Sequence, residues 1–167
     1  MRQDDFERLY AEHAQALFGF LVYRTGDRTL AEDLLADTFE RALRARRRFD
    51  PRRGSEKSWL YAIAANLVRD ARRRSEAERR AVTTAYADSP VEPAGESDPI
   101  DDRAALMAAM EQLTDDEREA IALRYGADLT LQEVARAIGA RTSTVEGRVY
   151  RGLAKLRAAL RARAPSR

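Results

Sequence analysis

The sequence has no cysteine and a single histidine, His13, and both scarcities narrow the chemistry that it can perform. Without cysteine there is no disulfide framework, no thiol nucleophile and no thiolate ligand for zinc. Long apolar runs are missing as well: the N-terminus lacks the stretch of a signal peptide, and no segment approaches the ~18 apolar residues of a membrane span. We therefore predict a cytoplasmic protein that does not insert into a membrane and holds no metal.

The net charge is only +2, but the charges are segregated along the chain. Residues 1–40 carry 4 basic and 9 acidic side chains, and residues 41–81 carry 14 basic and 5 acidic ones. The alternation repeats, with 4 basic and 13 acidic in residues 82–140 and 8 basic and 1 acidic in residues 141–167. Two basic surfaces separated by acidic ones predict two contacts with a polyanion and different partners for the acidic parts.

The segment 82–102 contains three prolines and six acidic side chains but no lysine or arginine. With almost no large apolar side chains, it cannot pack a core. We predict an acidic flexible linker at 82–102 that joins one domain at 1–81 to another at 103–167. A loop inside a single domain is the other interpretation.

The first domain shows apolar residues at helical spacing. They predict an amphipathic helix over about 4–22, with His13 on its apolar face as a structural histidine. Thr29 and Glu32 fit a capping box ahead of a second helix that runs to about residue 46. A third helix is predicted over about 59–74, where it ends in a basic run.

Several residues of the second domain indicate where helices begin and end. Thr114 and Thr130 each precede a glutamate by three residues, which predicts two capping boxes. Ala135, Gly139 and Val145 then have the spacing of a helix-turn-helix, with a small residue where the helices touch, glycine in the turn and an apolar anchor on the second helix. That second helix is predicted to project Arg148 and its basic neighbours outward, toward a groove or phosphates.

No strand pattern appears in the sequence. We therefore predict an all-α protein of two small helical domains on an acidic linker, the second a helix-turn-helix domain of the winged-helix-like or four-helix type.

Four segments together carry a resemblance to a known family. They are AEDLLADTFERAL (31–43), FDPRRGSEKSWLYAIAANLVRD (49–70), LTDDEREAIALRY (113–125) and LTLQEVARAIGARTSTVEGRVYRGLAKLR (129–157). In this order they resemble the extracytoplasmic-function (ECF) group of bacterial RNA polymerase sigma factors. The resemblance implies a protein that binds core polymerase, recognises promoter DNA, melts it and directs initiation.

The resemblance implies that the helix at 31–43 binds the polymerase clamp. The residues expected there are Asp33, Leu34, Asp37, Phe39 and Glu40. Core packing is the competing interpretation for Leu34 and Phe39, and for Phe39 the two are evenly matched. The three acids are the better interface residues because they cluster on one helix in a net-acidic block.

The resemblance also implies that the first domain melts the minus-ten element. Unstacking a base costs a few kcal/mol, which binding of the flipped base offsets. The loop 49–57 would capture bases and the following helix would hold the strand, through Phe49, Arg52, Arg53, Ser55, Lys57, Asn66, Arg69, Arg72 and Arg73. Trp59 is favoured as a core residue over a stacking platform.

In the second domain, the helix after Thr142 would read the minus-thirty-five element. The expected contacts are Arg141, Ser143, Thr144, Arg148, Arg151 and Lys155. The sequence departs from the family here, with Glu146 and Gly147 where most members have lysine and serine. Glu146 either completes a capping box with Ser143, which we favour, or accepts from a cytosine amino group.

The partners implied are core RNA polymerase, through its clamp and flap, and promoter DNA. The resemblance leaves room for an anti-sigma protein as a third. The linker, which in the family threads through polymerase, is either a polyanion mimic or a plain acidic spacer.

A helix-turn-helix repressor acting without polymerase is the alternative function. It would need a dimer interface, and the sequence has neither a coiled-coil heptad nor a ligand-binding domain. An enzyme such as a phosphodiesterase would need acids clustered around a metal, whereas these acids occupy caps, exposed faces and the linker. We predict a non-enzymatic protein with no cofactor and no small-molecule substrate.

Overall fold

The structure, a computed structural model, describes residues 3–82 and 100–163. Within these two ranges the chain forms helices and turns and no strand, which confirms the all-α prediction. The interior of the predicted linker, residues 83–99, lies outside the described residues. No helix in the described ranges is long and apolar enough to cross a membrane.

The first domain consists of three helices. They are α1 (Gln3–Thr25), α2 (Arg28–Ala45), which is extended by a 3₁₀ turn (Arg46–Arg48), and α3 (Glu56–Val82). Their apolar faces meet in a core that includes Leu9, Leu17, Leu21, Leu60 and Leu67. Each such buried leucine contributes about 1.5–3 kcal/mol relative to an exposed one, so this shared core holds the three helices together.

Helix α2 begins two residues earlier than the sequence predicted, and the capping box at Thr29 is wrong. The N-cap is Asp27, whose Oδ1 accepts from the backbone N–H of Leu30 at 3.1 Å. Gly26, with φ of +68°, makes the turn after α1. Because glycine reaches this left-handed conformation without steric cost, the chain reverses at once and Thr29 falls inside the first turn.

The second domain contains four helices with one π-helical turn between the second and third. They are α4 (Ile100–Glu111), α5 (Asp115–Ile121), the turn Ala122–Gly126, α6 (Leu131–Ile138) and α7 (Thr142–Arg163). Helix α4 begins inside the segment predicted as linker, and α3 ends at its first residue.

Both predicted capping boxes of the second domain are confirmed. Thr114 and Glu117 close the one on α5, and Thr130 and Glu133 close the one on α6. Each threonine hydroxyl accepts from the glutamate backbone N–H, while the glutamate carboxylate accepts from the threonine backbone N–H. An N-cap of this kind stabilises a helix by about 1 kcal/mol, which matters for helices this short.

The helix-turn-helix geometry is confirmed as well. Ala135 and Val145 are buried where α6 and α7 touch, and Gly139 ends α6 with φ of +66°. The capping interpretation of Glu146 is wrong, because α7 begins at Thr142 and so places Ser143 inside the helix. In the described part of the chain, Glu146 is exposed on the outer surface of α7 and makes no hydrogen bond to Ser143.

The two domains pack against each other through α3 and α6. Their apolar residues form one continuous core cluster, in which Leu67 and Val68 belong to the first domain and Leu129 and Val134 to the second. A second, smaller cluster joins α4, α5 and α7 around Met110. The second domain is therefore placed over the part of the first that the sequence assigned to promoter melting.

Candidate nucleic-acid interface

The loop between α2 and α3 is ordered by its own polar residues. Asp50 accepts from the backbone N–H of Arg52 at 3.0 Å, and the hydroxyl of Ser55 accepts from the backbone N–H of Ser58 at 3.1 Å. Between them, Arg52 and Arg53 are exposed. These local hydrogen bonds turn the loop so that its guanidinium groups point to solvent, as a phosphate-binding loop requires.

The two aromatic residues beside this loop pack on each other. The rings of Phe49 and Trp59 have centroids 5.3 Å apart at a tilt of 50°, and both side chains are half-buried. Trp59 packs against the domain core, as the sequence favoured. Phe49 retains an accessible part that suits stacking on a base.

Helix α3 continues this surface with one amide and three guanidinium groups. Asn66 is exposed, and Arg69, Arg72 and Arg73 follow it along the helix. Arg69, Arg72, Arg73, Glu76 and Asp115 line an open cleft of about 310 Å³. Of the predicted minus-ten residues in the loop and α3, Arg52, Arg53, Ser55, Asn66 and Arg73 are exposed.

Acidic groups of α5 already occupy part of that surface. Glu119 lies 3.0 Å from Nε of Arg69, and Asp115 forms an ion pair with Arg72. Asp115 also lies 3.1 Å from Nη2 of Arg24, whose side chain is only 1% exposed. Two of the arginines predicted to contact DNA, Arg69 and Arg72, therefore face carboxylates of the second domain.

The base-capturing loop contacts α6 in the same way. The hydroxyl of Ser55 donates to Glu133 at 2.7 Å, and Arg136 donates to the backbone carbonyl of Arg53 at 2.8 Å. Burial disfavours the ionised form of Glu133, but hydrogen bonds from Thr130 and Ser55 outweigh it and hold the pKa of this carboxyl below its usual range.

On α7, the predicted DNA contacts Arg148 and Lys155 are paired with acids of α5. Arg148 forms an ion pair with Asp116, and Lys155 donates to Glu117 at 2.7 Å. Arg151 lies 3.7 Å from the same Glu117 and is more exposed than the other two. The acidic first turn of α5 attracts these cations to its side of the domain, so their charges are partly neutralised.

Glu117 is the central acid of that group. Its side chain is buried, which disfavours ionisation, yet hydrogen bonds from Lys155 and from Thr114 together lower the pKa of Glu117 below its usual range. The carboxylate thus closes the cap of α5 and ties α5 to α7.

The solvent-facing side of α7 carries the remaining predicted minus-thirty-five residues. Arg141, Ser143 and Thr144 are exposed at its N-terminal end. Tyr150, which the sequence did not single out, is 77% exposed on the same helix. An N-terminal helix surface with short polar groups and one arginine has the composition that enters a major groove.

Helix α2 presents a different, acidic surface. Asp33, Asp37 and Glu40 are exposed on it, at a spacing that places them on one side of the helix. Leu34 and Phe39 are buried in the core, which was the competing interpretation for both of them. Phe39 packs in the interior against Phe6 and Tyr10, with ring centroids 6.1 and 4.6 Å away.

The sequence interpretation missed the ionic contacts between the domains. Arg24 follows Leu17 and Leu21 at helical spacing, so a charged residue stands where the apolar side of α1 should continue. That position signals a buried cation in need of a carboxylate, but its partner, Asp115, is distant in sequence. Among the residues that the structure describes, no group of histidines and acids is arranged to hold a metal ion.

Comparisons with known proteins match both domains. Residues 9–78 match the family model for Sigma-70 region 2, and residues 103–156 match that for Sigma-70, region 4. The chain is 37% identical over 160 residues to the RNA polymerase sigma factor CarQ of Myxococcus xanthus, covering 93% of this chain and 88% of CarQ. It is 31% identical over 163 residues to the ECF RNA polymerase sigma factor SigX of Bacillus subtilis, covering 93% and 83% of the two chains.

Two solved structures superpose on nearly the whole chain. The sigma factor RpoE of Bartonella quintana, in complex with the anti-sigma factor NepR, superposes with a TM-score of 0.78 at 25% identity, over 95% of this chain and 98% of RpoE. CnrH, in complex with the cytosolic domain of CnrY, superposes with a TM-score of 0.72 at 28% identity, over 98% and 92%.

Proposed function

We propose that separate surfaces of this chain, which belongs to the ECF group of RNA polymerase sigma factors, carry the separate steps of promoter-directed initiation. As a sigma factor it binds core RNA polymerase and recognises promoter DNA. The alternative of a repressor acting without polymerase finds no support among these relatives. The observation that carries the assignment of surfaces is the separation of one acidic and two basic surfaces on different helices.

The acidic side of α2 is the proposed contact with the polymerase clamp. Asp33, Asp37 and Glu40 are exposed there, and Tyr10, whose ring packs on Phe39 of the same helix, is half-exposed. Charged groups around an apolar residue suit a partner surface with basic and apolar parts, because complementary charges steer association.

The loop 49–57 and the exposed side of α3 are the proposed minus-ten surface. The strand's backbone would be held by Arg52, Arg53, Arg69, Arg72 and Arg73. Asn66 offers an amide that can pair with a base edge. Phe49 would stack on a flipped base. The protein thereby offsets the cost of unstacking, which is a few kcal/mol for each base.

The second domain is the proposed reader of the minus-thirty-five element. The N-terminal end of α7 would enter the major groove, with Thr144 and Arg141 near the bases and the backbone. Arg148, Arg151 and Lys155 would supply phosphate contacts once DNA competes with α5 for them. Glu146 is exposed on the same helix and is free to accept from a cytosine amino group.

Two further surfaces suit protein partners. Leu106, Met107 and Leu160 are exposed large apolar residues on α4 and α7, and we assign the contact with the polymerase flap to them. An anti-sigma protein is a further proposed partner, since RpoE is bound to one in the similar structure.

The protein contributes binding alone, and the polymerase performs the chemistry. Because its partners are core polymerase and chromosomal DNA, its proposed place of action is the bacterial cytoplasm. The linker 82–102 would pass through the enzyme between the two DNA contacts, either as a polyanion mimic or as a spacer.

A pull-down with core polymerase tests the clamp assignment. The triple variant D33N/D37N/E40Q should bind core polymerase about tenfold more weakly, since each lost interfacial charge costs a fraction of the binding free energy. Glu32→Gln is the matched control, because Glu32 is an exposed acid of the same helix whose partner is Arg28. Equal binding by the triple variant and the wild type would refute this surface.

A further inference from the structure

Phe49 and Trp59 stand at the two ends of the loop that is proposed to capture bases. Phe49 follows the 3₁₀ turn after α2, and its backbone N–H donates to the carbonyl of Arg46 at 3.4 Å. Trp59 lies in the first turn of α3, where its backbone N–H donates to the carbonyl of Ser55 at 3.0 Å. Their rings, with centroids 5.3 Å apart, therefore join the two ends of the loop.

The two rings differ in what else holds them. Both are half-buried. Of the described residues that pack against the continuous core cluster, Trp59 is one and Phe49 is not. Trp59 thus forms a wall that belongs to the core, and the ring of Phe49 rests on this wall at the edge of the core.

The backbone of the loop is held by contacts that do not involve the Phe49 ring. The backbone N–H of Arg53 donates to the carbonyl of Asp50 at 3.0 Å, and the hydroxyl of Ser58 donates to the carbonyl of Ser55 at 2.9 Å. Gly54 packs so closely that an added Cβ would stand 2.9 Å from Oγ of Ser58. The orientation of the Phe49 side chain is therefore the part of the loop that depends on Trp59.

Stacking on a base requires a ring whose orientation is already set. Aromatic pairs prefer tilted or offset arrangements with centroids about 4.5–7 Å apart. The Phe49 and Trp59 rings meet this condition, with a tilt of 50°. Because a ring held in this way loses its rotational freedom during folding, a DNA strand does not have to order it during melting.

We propose that Trp59 is a positioning residue for promoter melting, which holds the ring of Phe49 in the orientation that stacks on a flipped base. Trp59 acts on the DNA only through Phe49 and does not itself contact the base. The inference rests on the role in stacking proposed above for Phe49.

The free chain offers a direct test of the contact, because Trp59 is its single tryptophan. Phe49→Leu removes the neighbouring ring and exposes more of the indole to water. The emission maximum of Trp59 should therefore shift to longer wavelength. Helical circular dichroism should stay at the wild-type level, since Phe49 is not among the described residues of the core cluster.

Strand opening by the holoenzyme tests the positioning role. Phe49→Leu should lower opening about tenfold, which is the order of the contribution from stacking one base on an aromatic ring. Trp59→Leu should cause a similar loss, and the double variant should open no more slowly than Phe49→Leu, because both changes remove the same interaction. Trp59→Phe, which keeps a ring at this position, should retain most of the opening.

Permanganate reactivity of unpaired thymines measures opening, and a mobility shift measures binding of duplex promoter. Binding should stay at the wild-type level in these variants, because the backbone of the loop keeps its hydrogen bonds. Should Trp59→Leu lose helical circular dichroism, Trp59→Met takes its place, since methionine is apolar, carries no ring and adapts to irregular gaps in a core.

Phe20→Leu is the matched control. Phe20 pairs with Tyr61 at the same centroid separation of 5.3 Å, inside the core of the same domain. The change removes an aromatic contact and leaves both rings of the loop in place. Its holoenzyme should therefore show no loss of opening beyond any loss of duplex binding.

The inference would be overturned by an unchanged emission maximum in Phe49→Leu, or by a further loss of opening when Trp59→Leu is added to that variant. A selective loss of opening in Phe20→Leu would also overturn it. Normal opening by Trp59→Leu together with a loss in Phe49→Leu would refute the role of Trp59 and leave the stacking role of Phe49 intact. If Phe49→Leu itself opens the promoter normally, the proposed stacking role fails and the inference fails with it.

Discussion

Arg24 of α1 and Asp115 of α5 meet across the domain boundary, with Nη2 of the arginine 3.1 Å from the carboxylate. Asp115 at the same time pairs with Arg72 of α3. One carboxylate of the second domain thus contacts two helices of the first. The sequence suggests separate basic and acidic regions, but in the folded chain acidic and basic side chains from distant segments form ion pairs with each other.

Replacing Asn66 tests the melting surface. Asn66→Ala should reduce strand opening by the holoenzyme about tenfold, since a lost amide contact to a base costs about 1–3 kcal/mol. Initial binding of duplex promoter should change little, because the phosphate contacts remain. Permanganate reactivity of unpaired thymines measures opening, and a mobility shift measures binding. Ser75→Ala, an exposed change on the same helix, is the control, and equal loss in both assays for Asn66→Ala would refute the assignment.

Replacing Arg148 tests the phosphate contacts of α7. Arg148→Ala should weaken holoenzyme binding to the minus-thirty-five element and reduce the slope of log affinity against log salt by about 0.9, the contribution of one phosphate contact. Asp116→Asn, which removes the partner of Arg148 within the protein, should show the same slope as the wild type. A slope that is identical in Arg148→Ala and the wild type would show that this arginine contacts no phosphate.

Glu117 makes the stability of the second domain depend on pH. Glu117→Gln should lower the free energy of unfolding by about 1–2 kcal/mol at pH 7, through the weakened cap and the lost contact with Lys155. Because the pKa of Glu117 is lowered in the folded state, its contribution is complete above the unfolded pKa of about 4.3 and declines as the pH falls through the folded pKa. Urea unfolding between pH 7 and pH 3 should therefore show the two proteins converging in acid, while the exposed control Glu111→Gln matches the wild type throughout.

Two glycines of α7 should respond differently to alanine. At Gly152 an added Cβ would stand 2.5 Å from Cδ1 of the buried Ile121, whereas at Gly147 it would meet only the flexible guanidinium of Arg151 at 3.1 Å. Gly147→Ala should gain up to about 1 kcal/mol from helix propensity. Gly152→Ala should be less stable than Gly147→Ala by about 1–3 kcal/mol, the usual cost of overpacking. Thermal unfolding of the pair measures this difference, and equal stabilities would contradict the close crossing of α5 and α7.

The helices and caps of the second domain could be predicted because their signals are local. A threonine three residues before a glutamate, or a glycine after an apolar run, determines hydrogen bonds within one turn. The same logic failed at Thr29, because Asp27 also caps well and Gly26 decides where the chain turns. Local patterns thus predict that a helix is present, and the conformation of the preceding turn determines the residue at which it begins.

The interface residues were harder to predict, because they depend on contacts between distant segments. Leu34 and Phe39 share a helix with the exposed acids, and only the packing of α1 against α2 shows that they are buried. In the same way, the sequence indicates that Arg148 and Arg72 are available cations, and the position of α5 shows that each faces a carboxylate. Charge patterning predicts which surfaces are electrostatic, and the fold determines which of them neutralise each other.

Run-off transcription with purified core polymerase on genomic promoter fragments tests the central claim most directly. Core enzyme alone should give no defined start, and addition of the wild-type chain should produce discrete transcripts from a subset of fragments. If the chain neither associates with core polymerase nor changes where transcripts begin, the assignment of its surfaces to promoter recognition is contradicted.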